Sequence, residues 1–247
     1  PIVTGRVFSA GNVSRTEVGH PIAAFFGYVT DGIFQTTEEV AAHAFQNENT
    51  APGDLRFKDL NGDGIIDELD QTFIGNPTPD FTYGFTASME YKGFDMNLFV
   101  QGVYGNDIFN GIFRYDFFYT NRPQTALNRW TGPGTSNTEP RVNRNDPNGN
   151  ARASDRFVED GSYLRLKNMQ IGYSLPPSLA SRLKLQKCRF YVGGTNLITL
   201  TRYSGLDPEI GVVGDVFSGG TGRLEIGIDR GFYPQARMFI TGVNVVF

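Results

Sequence analysis

Apolar and polar positions alternate most cleanly between Phe81 and Val103. Phe81, Tyr83, Phe85, Ala87, Met89 and Tyr91 are separated by Thr82, Gly84, Thr86, Ser88 and Glu90. After Lys92-Gly93 the period returns, with Phe94, Met96, Leu98 and Val100 set against Asp95, Asn97, Phe99 and Gln101. A period of two gives a strand one apolar and one polar face, so this stretch predicts a β-hairpin. Each arm has the roughly ten residues that a tilted strand needs to cross a bilayer. Aromatics at both ends of the apolar face (Phe81 and Tyr83; Tyr91 and Phe94) fit the girdles of a transmembrane barrel. A soluble antiparallel sheet with one wet face shows the same period.

Three more strands follow the same rule. Met169, Ile171, Tyr173 and Leu175 alternate with polar residues until Pro176-Pro177 stops the run, and Ser178 to Leu183 predicts one helical turn. Cys188, Phe190 and Val192 oppose Lys187, Arg189 and Tyr191 in a strand running towards Leu200. The last strand, Arg237 to Phe247, puts Phe239, Thr241, Val243, Val245 and Phe247 on one face. Upstream the signal is weaker. A strand is expected near residues 2–8, loop over 11–20 and extended chain over 21–34. A short helix from Thr37 to Phe45 is capped by Thr36 or Thr37. Gly75 to Asp80, with two prolines, cannot be a central strand.

The connections then sort into two kinds. Those at 92–93 and 176–185 are short; those at 104–162 and 201–234 are long, and the two kinds alternate along the chain. Outer-membrane barrels alternate in this way, with short periplasmic turns and long outer loops. A sandwich gives no reason for it. The expected fold is therefore all-β, an antiparallel transmembrane β-barrel segment with long extracellular loops. Residues 81–247 supply its strands, and residues 1–80 an extracellular loop region.

Composition agrees. With 30 Gly, 21 Phe and 11 Tyr in 247 residues, strands and turns are favoured over helices. The net charge of −4 comes without a basic stripe, which argues against nucleic acid as a partner. Cys188 is the single cysteine, so no intramolecular disulfide forms. No run of about eighteen apolar residues predicts a transmembrane helix, which leaves a barrel open. The opening Pro1-Ile2-Val3-Thr4-Gly5 resembles the inside of a strand rather than a signal peptide, as expected of a piece of a longer polypeptide.

One motif carries ligand chemistry. Asp59-Leu60-Asn61-Gly62-Asp63-Gly64-Ile65-Ile66-Asp67-Glu68-Leu69-Asp70 sets oxygens at the first, third, fifth, ninth and twelfth positions, with glycine at the sixth. A chain wrapped round an ion points such alternate side chains inward, and the Ile65 carbonyl serves the seventh position. The expected calcium set is Asp59, Asn61, Asp63, Ile65, Asp67 and Asp70. Aspartate rather than glutamate at the last position has a shorter arm for bidentate ligation. The preceding Gly53 to Phe57 reads as extended chain, so the loop resembles a single calcium loop of the dockerin kind. A solvated acidic turn is the competing reading.

No catalytic constellation accompanies it. His20 and His43 are the only histidines, no serine sits in a nucleophile elbow, and phosphate-binding glycine patterns are missing. Asp207-Pro208-Glu209 reads as a loop turn, because neighbouring residues in extended chain point apart. Trp130 beside Arg129 is a candidate for stacking on a sugar or peptide, or for a structural role.

Several phrases together resemble the SusC/RagA family of TonB-dependent outer-membrane receptors. They are Gly27 to Phe34, Pro52 to Asp59 running into the acidic loop, Ile74 to Pro77, Gln101 to Asp107, Ser154 to Asn168, Thr201 to Glu209, and Tyr233 to Arg237 leading into the final strand. The resemblance spans nearly the whole chain and covers the C-terminal part of that architecture. It implies the end of a large barrel, commonly of about twenty-two strands, in the bacterial outer membrane. Such a barrel imports oligosaccharides or peptides and draws energy from TonB through parts not in this chain. A SusD-like lipoprotein closes over it as a lid. Plug, remaining barrel and lipid bilayer would be its other neighbours. The alternative is a secreted calcium-stabilised β-sandwich that binds glycan as an adhesion module.

Overall fold

The computed structural model describes residues 8–10, 13–113, 124–143, 145–210 and 225–247. In chain order it has β1 (Phe8–Ala10), β2 (Ser14–Thr16), β3 (Ala24–Tyr28), β4 (Thr30–Ile33), helix α1 (Thr37–Ala42), β5 (Leu55–Phe57) and β6 (Gln71–Gly75). Next come β7 (Phe81–Tyr91), β8 (Phe94–Tyr104), β9 (Asp107–Asn110), β10 (Val158–Asp160) and β11 (Tyr163–Ser174). Helix α2 (Pro177–Arg182), β12 (Lys187–Thr201), β13 (Ile228–Asp229) and β14 (Met238–Val246) complete it. These elements make two compact units.

The first unit is one sheet in the order β14-β12-β11-β8-β7, with every pairing antiparallel. Lys92 and Gly93 turn the β7–β8 hairpin at φ 48° and 86°. Two positive angles are what a two-residue turn of matching twist requires. The register carries the apolar positions straight across. Tyr91 lies opposite Phe94, Phe94 opposite Tyr173, Tyr173 opposite Phe190, and Phe190 opposite Val243. The next row runs Met89, Met96, Ile171, Val192 and Thr241. Ser88, Asn97 and Gln170 form a row on the opposite, polar face. As expected, the odd positions of β14 share the apolar face, since Phe239 and Val245 pair with Gly194 and Cys188.

Strand β11 changes parity in mid-course, and the sequence pattern alone did not reveal it. Its apolar residues are Leu164 and Leu166 before Lys167, and Met169 and Ile171 after it. The register slips between Leu166 and Asn168, so Lys167 is bulged out. On β12 the same level carries Asn196, at φ 52°. The bulge keeps both halves of β11 on one apolar face, because a one-residue slip otherwise inverts a strand.

That face is bare. Phe85, Val192, Val243 and Phe239 are 63%, 58%, 52% and 78% exposed, and within the unit nothing among the described residues covers them. Contiguous apolar area of this size marks an interaction or membrane surface. The two short connections, 92–93 and 175–186, leave the sheet at one end. The chain segments after Tyr104 and Thr201, and before Tyr163 and Met238, all lie at the other.

The second unit gathers residues 1–78, 107–159 and 210–231. Most described residues of the long connections thus fold with the chain's first third, while Tyr203 to Glu209 stay with the sheet. This unit's strands are only two to five residues long, too short for a period to register. Residues 14–16 pair as β2 where loop was expected, with Thr16 Oγ1 accepting from the Ala23 amide at 2.8 Å. Residues 2–7 of the expected first strand lie outside the described residues. The expected helix forms but ends at Ala42 rather than Phe45, and Thr36 caps α1 by accepting from the Glu39 amide.

Two apolar clusters hold this unit. Phe25, Phe109, Phe157 and Ile228 form one; Ile33, Leu55, Phe57 and Ile66 form the other. Trp130 packs against the second cluster, and its indole donates to Gln35 Oε1 at 3.0 Å, which gives it the structural role. A buried amide knot ties the pieces together. Asn148 Oδ1 accepts from Gln46 (3.0 Å) and Thr50 (2.7 Å), while its Nδ2 donates to the Leu55 carbonyl and Asn150 Oδ1. Asp54 takes a bidentate bond from Arg141, both at 2.8 Å. Removing one partner strands the others without water. Asn148→Ala should therefore cost about 1–3 kcal/mol, read as a fall in denaturant midpoint at unchanged slope. An unchanged midpoint would show that the knot is replaceable.

Candidate functional site

The acidic loop is built between β5 and β6. Gly64, at φ 85°, gives the bend at the sixth position. Asp59 Oδ1 and Oδ2 accept from the amides of Gly62 (2.6 Å) and Gly64 (2.9 Å). The Gly64 amide, with smaller help from those of Gly62 and Asp63, outweighs desolvation and holds the Asp59 carboxyl below its usual value. Asn61 Oδ1 accepts from the Asp63 amide, and Asp63 Oδ1 from the Ile65 amide. A bridge to Phe45 uses the Gly64 carbonyl and the Ile66 amide, which leaves the Ile65 carbonyl out of that pairing. Ile66 drops into the apolar cluster and pins the loop to the unit.

The far end of the loop closes differently. Asp67 Oδ1 accepts from the Leu69 amide, and Asp70 Oδ2 from the Asp67 amide, as a capping box. Asp70 is fully buried, and its Oδ1 accepts from the Leu60 amide at 2.8 Å. Asp59, Asn61, Asp63 and Asp67 therefore line an exposed loop, while Asp70 fastens its two ends. Among the described residues no three His, Cys, Asp or Glu side chains gather as a metal-holding group. The donors are nonetheless of the hard oxygen type that suits calcium. Each carboxylate oxygen has a second lone pair beyond the one its amide takes.

The sheet's polar face holds two ion clusters that sequence reasoning did not find. Arg189 Nε donates to Asp95 Oδ1 at 2.8 Å, its Nη2 reaches Asp95 Oδ2, and the same Nη2 donates to Gln170. Arg165, almost fully buried, donates to Asp207 (2.5 Å) and Glu209 (2.7 Å), and Lys167 also donates to Glu209. The Asp207-Pro208-Glu209 turn is therefore a turn, as expected, but both acids converge on β11. The available clue was Arg165 itself, since a charge placed within a barrel strand needs a partner.

Asp207 also accepts from the amides of Gln235 and Glu209, each at 2.9 Å. Burial pushes its carboxyl up, but Arg165 and these amides outweigh burial and hold it below the usual value. A depressed carboxylate contributes stability above its unfolded pKa, about 3.9, and loses it as the pH falls through the folded value. The thermal midpoint of the protein should thus exceed that of Asp207→Asn from neutrality down to about pH 4, with the gap closing in stronger acid. A gap that stays constant to pH 2 would contradict this.

No family model matches the sequence. TonB-dependent receptor P3 of Formosa agariphila is 38% identical over 230 residues, which is 93% of this chain and 22% of that protein. TonB-dependent receptor P26 of the same organism is 31% identical over 251 aligned residues, covering 100% of this chain and 24% of its own. TonB-dependent receptor SusC of Bacteroides thetaiotaomicron is 28% identical over 251 aligned residues, again 100% of this chain and 22% of SusC. Two structures of the RagAB peptide importer share the fold. The open-open state has a TM-score of 0.69 and the closed-closed state 0.71, each at 20% identity over 100% of this chain and 25% of the matched one. The chain spans about a quarter or less of the length of the relatives it matches. It belongs to the SusC/RagA-like TonB-dependent receptors, β-barrel proteins of the outer membrane, and its long strands are a segment of such a barrel.

Proposed function

We propose that this chain is the C-terminal barrel portion of a TonB-dependent outer-membrane importer of oligosaccharides or peptides, working beneath a SusD-like surface lipoprotein. The observation that carries this reading is the register-locked apolar face of the five-stranded sheet. Bilayer contact accounts for its exposure, and the ion clusters sit on the opposite face. A glycan-binding β-sandwich would need a second sheet on that apolar face. In hydrocarbon an unpaired strand edge costs several kcal/mol per backbone group. On this reading the outer edges of β7 and β14 pair with the rest of the barrel, which encloses the plug. TonB engages the receptor through parts outside this chain. The lid lipoprotein and the substrate meet the long-connection side.

The test is uptake. A strain lacking the full receptor should fail to accumulate a fluorescent oligosaccharide or peptide pool that the wild type takes up. Restoration should require both the receptor and its lipoprotein. Equal uptake without the receptor would overturn the reading, and the pool that responds identifies the substrate class.

Calcium at Asp59, Asn61, Asp63, the Ile65 carbonyl, Asp67 and Asp70 belongs to the same proposal. The spacing, the φ of Gly64 and the oxygen donor set support it. In this arrangement the ion would stiffen the loop rather than take part in chemistry. Calcium should raise the receptor's thermal midpoint, chelation should reverse the rise, and Asp59→Asn with Asp63→Asn should abolish it. No shift in saturating calcium would leave the loop as a self-bonded acidic turn.

A further inference from the structure

The connection between β11 and β12 is more than a turn. Pro176 and Pro177 open α2, where a fixed φ suits the first turn and a missing amide proton costs nothing. The helix packs against β12, and Ala180 and Cys188 are buried there. Cys188 alternates with Phe190 and Val192, so α2 rests at the short-turn margin of the apolar face.

What the helix leaves outside is informative. Leu179 and Leu183 stand one turn apart on one side, 45% and 61% exposed. Arg182 and Lys184 flank them, and neither makes an ion pair among the described residues. Beside α2, Lys92 and Lys187 line the groove between Gly93 and Pro176-Pro177. The Lys92 ammonium lies 5.0 Å from the centre of the Tyr91 ring. Tyr91 begins the aromatic row through Phe94, Tyr173 and Phe190, the kind of girdle that marks a membrane interface. The acids at this end, Glu90 and Asp95, belong to the polar face, and Asp95 is held by Arg189. Moving outward from the bare face, one therefore meets an aromatic row, then two leucines, then unpaired cations.

We infer that residues 176–186 form an interfacial anchor for anionic phospholipid on the leaflet at the short-turn end. Leu179 and Leu183 enter the boundary of the acyl chains. Arg182 and Lys184 bind phosphate oxygens, laying their apolar stems along the same boundary. Continuity with the membrane-facing belt selects a lipid surface over a soluble partner, and the unpaired cations select an anionic one. The inference rests on the sheet being membrane-spanning.

The experiment uses the full receptor in nanodiscs, with a fluorophore at Leu183→Cys or, separately, at Phe85→Cys, midway along β7 on the apolar face. Cys188 is buried and stays unlabelled. Lipids brominated near the headgroup end of the acyl chain should quench the Leu183 probe, and deeper bromines the Phe85 probe. If only Phe85 is quenched, the sheet spans the membrane and the anchor is wrong. If neither is quenched, the membrane reading itself fails. Protection of the Leu183 probe from iodide without lipid quenching would mean a protein covers α2, which also overturns the anchor. The charge arm compares phosphatidylcholine discs with and without phosphatidylglycerol. Enrichment of phosphatidylglycerol around the wild type should fall roughly fivefold or more in Arg182→Gln with Lys184→Asn. Asparagine tolerates the φ of 58° at Lys184. Equal enrichment in both proteins would remove the headgroup contact.

Discussion

Backbone hydrogen bonding is the constraint on which the long strands depend. A strand in hydrocarbon has no water to satisfy its amides and carbonyls, so every one must be paired with a neighbour. The register of β7, β8, β11, β12 and β14 cannot then drift, because a slip would unpair groups and invert an apolar face together. The paired bulge at Lys167 and Asn196 shows how the constraint is met when a sequence changes phase. Both strands adjust at the same level, and the ladder resumes with the apolar face intact.

The same constraint explains where charge is tolerated. Arg165 and Arg189 sit in strands, yet each is satisfied by carboxylates on the polar face. On the apolar face a lysine or arginine would cost about 2–4 kcal/mol at mid-membrane, and no charged residue occupies the rows from Tyr91 to Val243 or from Met89 to Thr241. Uncompensated cations collect instead where the apolar rows end, around α2.

How much of this was legible in the sequence follows from the range of the interactions. Alternation is local, so Phe81 to Val103 and the β14 face read directly. The alternation of short and long connections needed only counting. Short α1, with its Thr36 cap, was also a local signal. The second unit was not legible, because its core joins Phe25 to Phe109, Phe157 and Ile228, residues far apart in sequence on strands too short to show a period. The acidic loop's spacing was plain, but the burial of Asp70 was not, since it depends on amides ten residues upstream. The partners of Asp207 and Glu209 were hidden for the same reason: they stand more than forty residues back, on β11.

The short and the long connections follow different rules. The short ones turn in two residues at Lys92-Gly93 or through the helix α2, and both answer to the pairing geometry of the strands they join. The long ones contribute to a unit held by amide knots and arginine clamps rather than by a repeating ladder. A ladder fixes register and tolerates little change. A network of side-chain bonds between loops can be rewired residue by residue, with each change costing about 1–3 kcal/mol rather than the whole sheet. Spanning a membrane forbids that freedom, because a strand that slips or loses a partner loses its ladder and its apolar face together. Change can therefore accumulate in the long connections while the strands stay fixed.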